Sequence, residues 1–175
     1  MSCSTNIVEC LRKEGVNPEA IDTQCLPGYI PNYGIAYNTQ NYFQSPADPN
    51  DTWTLDFKRT VFITGYQIYA LEDTNWVRNW DFLVKKQGNW VLLESHQNNN
   101  PPGSSVHTLS QPQNTRFVKL KGGTTWTGGK YLSFYYIKFF GYSTKIDLQK
   151  GEATCKTMQR PTIFLHFVFL MLLHS

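Results

Sequence analysis

The chain has 175 residues, and its 16 basic against 13 acidic side chains leave a formal charge of +3. That length suits one domain, and neither the composition nor the spread of charge is that of a disordered chain or polyelectrolyte. Apolar residues make up 41% and aromatics 15%, so a substantial core built on rings is expected. Short basic pairs such as Arg12-Lys13 and Lys85-Lys86 read as solvated surface, and without a stripe of charge a nucleic-acid partner is excluded.

In chain order, residues 1–33 read as an N-terminal extension with a short helix over residues 6–14, which Gly15 ends. Cys3, Cys10 and Cys25 fall in this segment and Cys155 far away, with no C-x-x-C pair to suggest zinc. Ile7-Val8 is followed at once by Glu9, so no apolar signal-peptide core is expected. Free thiols in the cytoplasm are the corresponding expectation. Pro27, Gly28 and Pro31 then punctuate the entry to a different region.

From Trp53 to Gly141 the pattern is strand and turn, with no window of helical period. Trp53, Leu55 and Phe57 alternate with Thr54 and Asp56, the period of two of a half-buried strand. Residues 61–69 form a more apolar strand. Trp80, Phe82 and Val84 alternate with Asp81 and Lys85, and Gln87-Gly88-Asn89 turns the chain into residues 90–93 as a hairpin. Short strands follow at 106–109 and 116–120 on either side of Pro112, and residues 131–142 close the set. Trp80, Trp90, Phe82, Ile68 and Val118 are the expected interior. Many short strands without helices define an all-β class, a sandwich or barrel. Residues 143–160 read as a polar linker. The apolar tail 161–175 is shorter than the roughly 20 residues a membrane span needs, so any membrane contact through it would be peripheral.

The segments Trp76-Val77-Arg78-Asn79-Trp80, Gln87-Gly88-Asn89-Trp90, Thr115-Arg116-Phe117-Val118-Lys119-Leu120 and Trp126 stand in an order and spacing that resemble the discoidin family, also called the coagulation factor five/eight C-type domain. Gly128-Gly129-Lys130-Tyr131-Leu132-Ser133 running into Ile137-Lys138-Phe139-Phe140-Gly141 is similar to its closing strand, most of all in the intracellular branch. The resemblance covers residues 34–142 and implies a two-sheet antiparallel jelly-roll sandwich, galactose-binding-domain-like. Where the family often carries an acidic calcium-associated turn, this chain has Tyr37-Asn38-Thr39-Gln40-Asn41-Tyr42. Asp48, Asn50 and Asp51 lie nearby, but no metal and no cofactor are expected. The terminal cysteine pair that staples secreted members is absent from the ends of the matching region.

Catalytic machinery is not visible. His96, His107, His166 and His174 stand in no triad or metal spacing, and His96 and His107 are expected as polar surface. Gly122-Gly123 and Gly128-Gly129 bracket Trp126 without opening a helix, so no phosphate loop is expected. The chain is therefore expected not to be an enzyme.

Binding rests on parity. If successive strands run antiparallel, their connections alternate between two ends. The tight turns at 58–60, 87–89 and 112–114 then share one end. The longer stretches 42–51, 72–79, 97–105 and 121–130 share the other, where Tyr42, Asn75, Trp76, Arg78, Asn98, Trp126 and Lys130 are the expected ligand-binding residues. Trp76, just before a strand, is placed where a ring more often packs beneath a loop than over a ligand. Aromatics with amides and a guanidinium suit a protein anchor, the leading expectation, or a galactose-type glycan, with phospholipid or membrane attachment as a third class.

Overall fold

The computed structural model describes residues 6–21, 25–48, 50–70, 76–97 and 104–143. The polar stretch and apolar tail beyond residue 143 lie outside them, as do Cys3 and Cys155. Helix α1, Ile7–Lys13, begins where the Asn6 carboxamide oxygen accepts the Val8 N–H, the side-chain cap that a first turn requires. Its buried face of Ile7, Val8 and Leu11 belongs to the same hydrophobic cluster as the strands. Residues preceding the sandwich thus contribute to its core.

The strands are β1 (Glu19–Ala20), β2 (Phe43–Gln44), β3 (Thr52–Tyr69), β4 (Val77–Lys86), β5 (Asn89–Gln97), β6 (Ser105–Thr125), β7 (Ser133–Phe134) and β8 (Tyr136–Ser143), with a 3-10 turn at Pro31–Ile35. Two of them are long because each serves both layers. The first part of β3 pairs with residues 117–121 of β6, and its second part pairs with residues 105–115 of β6 and with β8. Between Asp56 and Val61 the register breaks. There the Asp56 carboxylate accepts the Lys58 N–H at 2.7 Å and Lys58 takes a φ of 63°. The chain therefore turns a corner instead of ending a strand, as strands do when they switch sheets. One layer carries β1, the first part of β3, the second part of β6, β4 and β5; the other carries β8 and the remaining parts of β3 and β6. All pairings among the described residues are antiparallel, and the architecture is the antiparallel β-sandwich that the family resemblance implied, one of the two forms, sandwich or barrel, that the strand pattern left open.

The interior follows the alternation. Trp53, Leu55 and Phe57 are fully buried, as are Phe82, Val84, Val118 and Leu120 from the neighbouring strands of the same layer. Trp53 donates its indole N–H to the Pro31 carbonyl at 2.9 Å and meets the Phe134 ring edge-on. Trp80 is 3% exposed and donates to the Tyr66 hydroxyl at 3.1 Å. Three expectations are corrected. Trp90 is not interior: it pairs with Lys85 and shares that residue's outward face, half-buried beneath the Lys119 ammonium at 4.4 Å. The expected closing strand is two strands, because Tyr135 breaks between β7, paired with β2, and β8, paired with β3. Cys25 is a free thiol as expected, but Cys10 is disulfide-bonded; the expectation rested on the polar Glu9 after Ile7-Val8, which says nothing of which sulfurs the fold brings together.

Candidate functional site

Thr60, Gln87, Gly88, Pro112 and Asn114 line a single cleft of about 920 Å³, so the three segments expected as tight turns lie together, although 58–60 and 112–114 run within β3 and β6 and only 87–89 connects two strands. At the opposite end the short ribbon of β2 and β7 acts as a bracket. Phe43 and Phe134 pair across it, fully buried with ring centres 5.3 Å apart. Alternation turns their neighbours Tyr42 and Tyr135 the other way.

Trp76 meets Tyr135 at 4.6 Å and Tyr42 at 5.2 Å, and Tyr42 meets Tyr29 at 4.7 Å. Trp76, Tyr135 and Tyr42, with Ala70, Tyr69 and Tyr136, form a cluster separate from the main core, and Tyr29 joins it through Tyr42. Trp76 is 5% exposed, so it packs beneath the rim while Tyr42 remains half-open. Among the described residues the buried Trp76 indole N–H finds no acceptor. A hydrogen bond with Tyr29, followed by burial, pushes the Tyr42 phenol up to about 12. It is therefore a neutral hydroxyl at physiological pH. A cavity of about 350 Å³ opens beside it, lined by Pro27, Gly28, Tyr29, Tyr33, Gln40 and Asn41.

Arg78 is positioned by an irregularity. Val77 pairs with Thr125 and Asn79 with Thr124, so Arg78 is the extra residue of a β-bulge, a device that re-aims a side chain. Its guanidinium lies over the Trp126 ring at 4.7 Å. Trp126 is held half-exposed by a self-bonded turn, in which Thr125 N–H donates to the Gly129 carbonyl and Gly129 N–H to the Thr125 hydroxyl. The structure thus joins Tyr42 with Trp76 and Arg78 with Trp126. Lys130 is exposed and makes no hydrogen bond, ion pair or ring contact among the described residues. Asn75 and Asn98 lie outside them.

Two features went unread in the sequence. Tyr135 and Tyr29 complete the aromatic cluster; the run Phe134-Tyr135-Tyr136, which breaks a strict alternation, was the available signal. His96 and His107, expected as polar surface, are half-buried with ring centres 4.1 Å apart, His96 stacked on Trp80 and His107 on Tyr66. Burial, then the neighbouring His96, lowers His107 to about 4. Each histidine also has a polar partner, Glu94 for His96 and Ser105 for His107. Their distance in sequence concealed the pairing, which arises because β4 pairs with β5 and β3 with β6. No group of three His, Cys, Asp or Glu side chains is arranged to hold a metal among the described residues, and no helix there is long and apolar enough to cross a membrane.

The described residues form an antiparallel sandwich with an aromatic rim at one end. The chain belongs to the F5/8 type C domain family, whose model matches residues 20–136, and that family comprises non-catalytic binding modules. A search of curated protein sequences found no match. Among solved structures, the chain is similar to the family 32 carbohydrate-binding module of Clostridium perfringens NanJ in complex with galactose. That likeness has a TM-score of 0.62 at 11% identity, over 78% of this chain and 98% of the other. It is similar also to the lectin binding domain of Lectinolysin, a His 62 mutant complexed with Lewis b, with a TM-score of 0.63, 14% identity and coverage of 82% and 100%. A Streptococcus pneumoniae fucose binding module gives a TM-score of 0.60 at 19% identity over 78% and 94%.

Proposed function

We propose that the chain is a carbohydrate-binding module whose glycan meets the rim bearing Tyr42, Arg78 and Trp126. The observation that carries this reading is the bulge that lays Arg78 over Trp126, close in sequence to the Trp76 that supports Tyr42. A sugar presents an apolar face of C–H groups and a fringe of hydroxyls. A half-exposed ring supplies the stacking surface, and a guanidinium and a neutral phenol supply donors and an acceptor for the hydroxyls. Galactose, Lewis b and fucose in the names of the structural neighbours support a glycan over the protein ligand that headed the sequence-based expectations. The rim is shallow, so a single sugar is bound weakly and useful retention comes from multivalent display.

The test is a glycan array probed with the purified chain, followed by titration of the best uncharged glycan against variants. Trp126→Ala should weaken binding at least about tenfold, a loss of ~1.4 kcal/mol, with circular dichroism unchanged. Lys86→Ala, at the tight-turn end, should bind as wild type. Loss of binding in Lys86→Ala with retention in Trp126→Ala would place the ligand at the other end.

A further inference from the structure

The outward face of β4, β5 and β6 carries an alternating row of cations and rings. Lys119 lies 4.4 Å from the Trp90 ring centre, and Lys85 lies 5.8 Å from Trp90 and 5.2 Å from Phe117. Arg116 lies 5.0 Å from the other end of the row, at Phe117. The register explains the row: Lys85 pairs with Trp90, and Leu83 with Lys119, so side chains from three strands meet on one face. Lys121 continues it along β6, one alternation beyond Lys119. At the tight-turn end the row runs into the 920 Å³ cleft, which Lys85, Lys86, Gln87, Asn114 and Arg116 line.

The charges are largely uncompensated. Arg116 is engaged by Asp56 through two hydrogen bonds of 2.8 and 2.9 Å, but Lys85, Lys86, Lys119 and Lys121 make no ion pair among the described residues. Asp81, the carboxylate that alternates onto this face, is bonded to Ser95. Five cations, Lys85, Lys86, Arg116, Lys119 and Lys121, against the two carboxylates Asp56 and Asp81 leave a net positive charge on this face and its cleft as large as the +3 of the whole chain. The rings also hold the lysine stems in place, which lowers the side-chain entropy lost when an anion binds.

We propose that this face and its cleft form a second binding surface, for an acidic polysaccharide bearing sulfate or carboxylate groups. The surface is distinct from the aromatic rim and independent of the reading given to that rim. Charge complementarity selects a polyanion, and the state of the rings selects the class. Trp90 carries Lys85 and Lys119, and Phe117 carries Lys85 and Arg116, two cations to each ring where Trp126 carries one, so neither is a bare platform for nucleobases of the kind that single-strand-binding proteins present. The Lys85 and Lys119 ammonium groups lie over the outer side of the Trp90 and Phe117 rings, where a chain of spaced anionic groups would meet them first. A strand spacing of about 4.8 Å and an alternation of about 6.8 Å along each strand set a grid of charge that an extended chain of acidic sugars can follow.

The experiment is calorimetric titration of the full chain with a heparin oligosaccharide, its chemically desulfated counterpart, and oligothymidylate of similar charge. Heparin should bind, with affinity falling as salt rises; the desulfated sugar should bind at least tenfold more weakly. Lys85→Ala/Lys119→Ala should weaken heparin binding at least tenfold while Trp126→Ala leaves it unchanged. The exposed Lys121→Ala, threefold weaker, serves as a second variant that leaves the Trp90 contacts in place. No heparin binding, equal binding of the desulfated sugar, tighter binding of oligothymidylate, or indifference to the lysine substitutions would each overturn the assignment.

Discussion

A single methyl group at Gly141 should unfold much of the protein's stability. In β8 this residue pairs with Ile63 where the next pair is Gly65 with Phe140, so β3 carries one extra residue and the ladder is pinched. A Cβ built on Gly141 would stand 1.9 Å from the Phe62 carbonyl oxygen and 3.1 Å from the Ile63 Cα, and its φ of 142° is one that side chains rarely adopt. Backbone strain of that kind costs about 1–3 kcal/mol. The clash is with the backbone of β3, which is paired with β6 on one side and β8 on the other and cannot move without loosening both. Loss of one or two ladder hydrogen bonds adds roughly 1 kcal/mol each. Gly141→Ala should therefore cost about 3–5 kcal/mol, of the order of half the stability of a typical domain. Gly88→Ala is the control: its φ of 87° is also positive, but nothing lies within 4 Å of the added methyl, so only about 1 kcal/mol is expected. Urea unfolding followed by tryptophan fluorescence measures both. Equal midpoints for the two variants, at equal m values, would refute the clash and the pinched register from which it follows.

Acid should weaken the sandwich through His107. Its folded pKa of about 4 lies below the ordinary 6.5, so the unfolded chain binds the extra proton first. Stability is then full above about pH 6.5 and is lost as pH falls toward 4, by roughly 1–2 kcal/mol after allowance for partial solvent access; His107→Gln should flatten that part of a stability–pH curve. Trp53→Ala should cost about 3–5 kcal/mol as a fully buried ring, and Trp90→Ala less than about 1.5 kcal/mol, measured by denaturant midpoints. Although burial opposes its ionisation, Asp56 is held below the usual carboxylate range by Arg116 and the Lys58 N–H. Arg116→Ala should leave that buried carboxylate short of partners and raise its pKa, seen by NMR titration.

The fold was legible because burial imposes a period of two. Trp53, Leu55 and Phe57, or Trp80, Phe82 and Val84, declare both strand and inward face from spacing alone. The same reasoning misplaced Trp90, because a ring on the outer face is as compatible with alternation as one on the inner. Its cover of lysines comes from β4 and β6, which only tertiary pairing brings near. The corner at Lys58 was visible as a turn but not as a continuation of β3, since a sheet switch and a hairpin use similar polar residues. At the rim, Trp76 and Arg78 were selected together because both lie in the stretch 72–79 that strand parity assigned to one end. The bulge that turns Arg78 onto Trp126 depends on a register offset that no local pattern records. The histidine pair was hidden for the related reason that its members sit on different strands.

The sharing of β3 and β6 between the two layers bears on how the protein is made. The first residues of β3 find their β6 partners only after nearly the whole sandwich has been synthesised, since Thr52 pairs with Lys121 and Trp53 with Leu120. No layer can close early, because each contains a segment of both strands. Topologies dominated by such distant pairings fold slowly. Until β6 arrives, the apolar side of β3 is exposed on the nascent chain and prone to the wrong company. The kinetic barrier to assembly is thus concentrated in one late docking event, and truncation anywhere before residue 121 should yield aggregation instead of a smaller folded module.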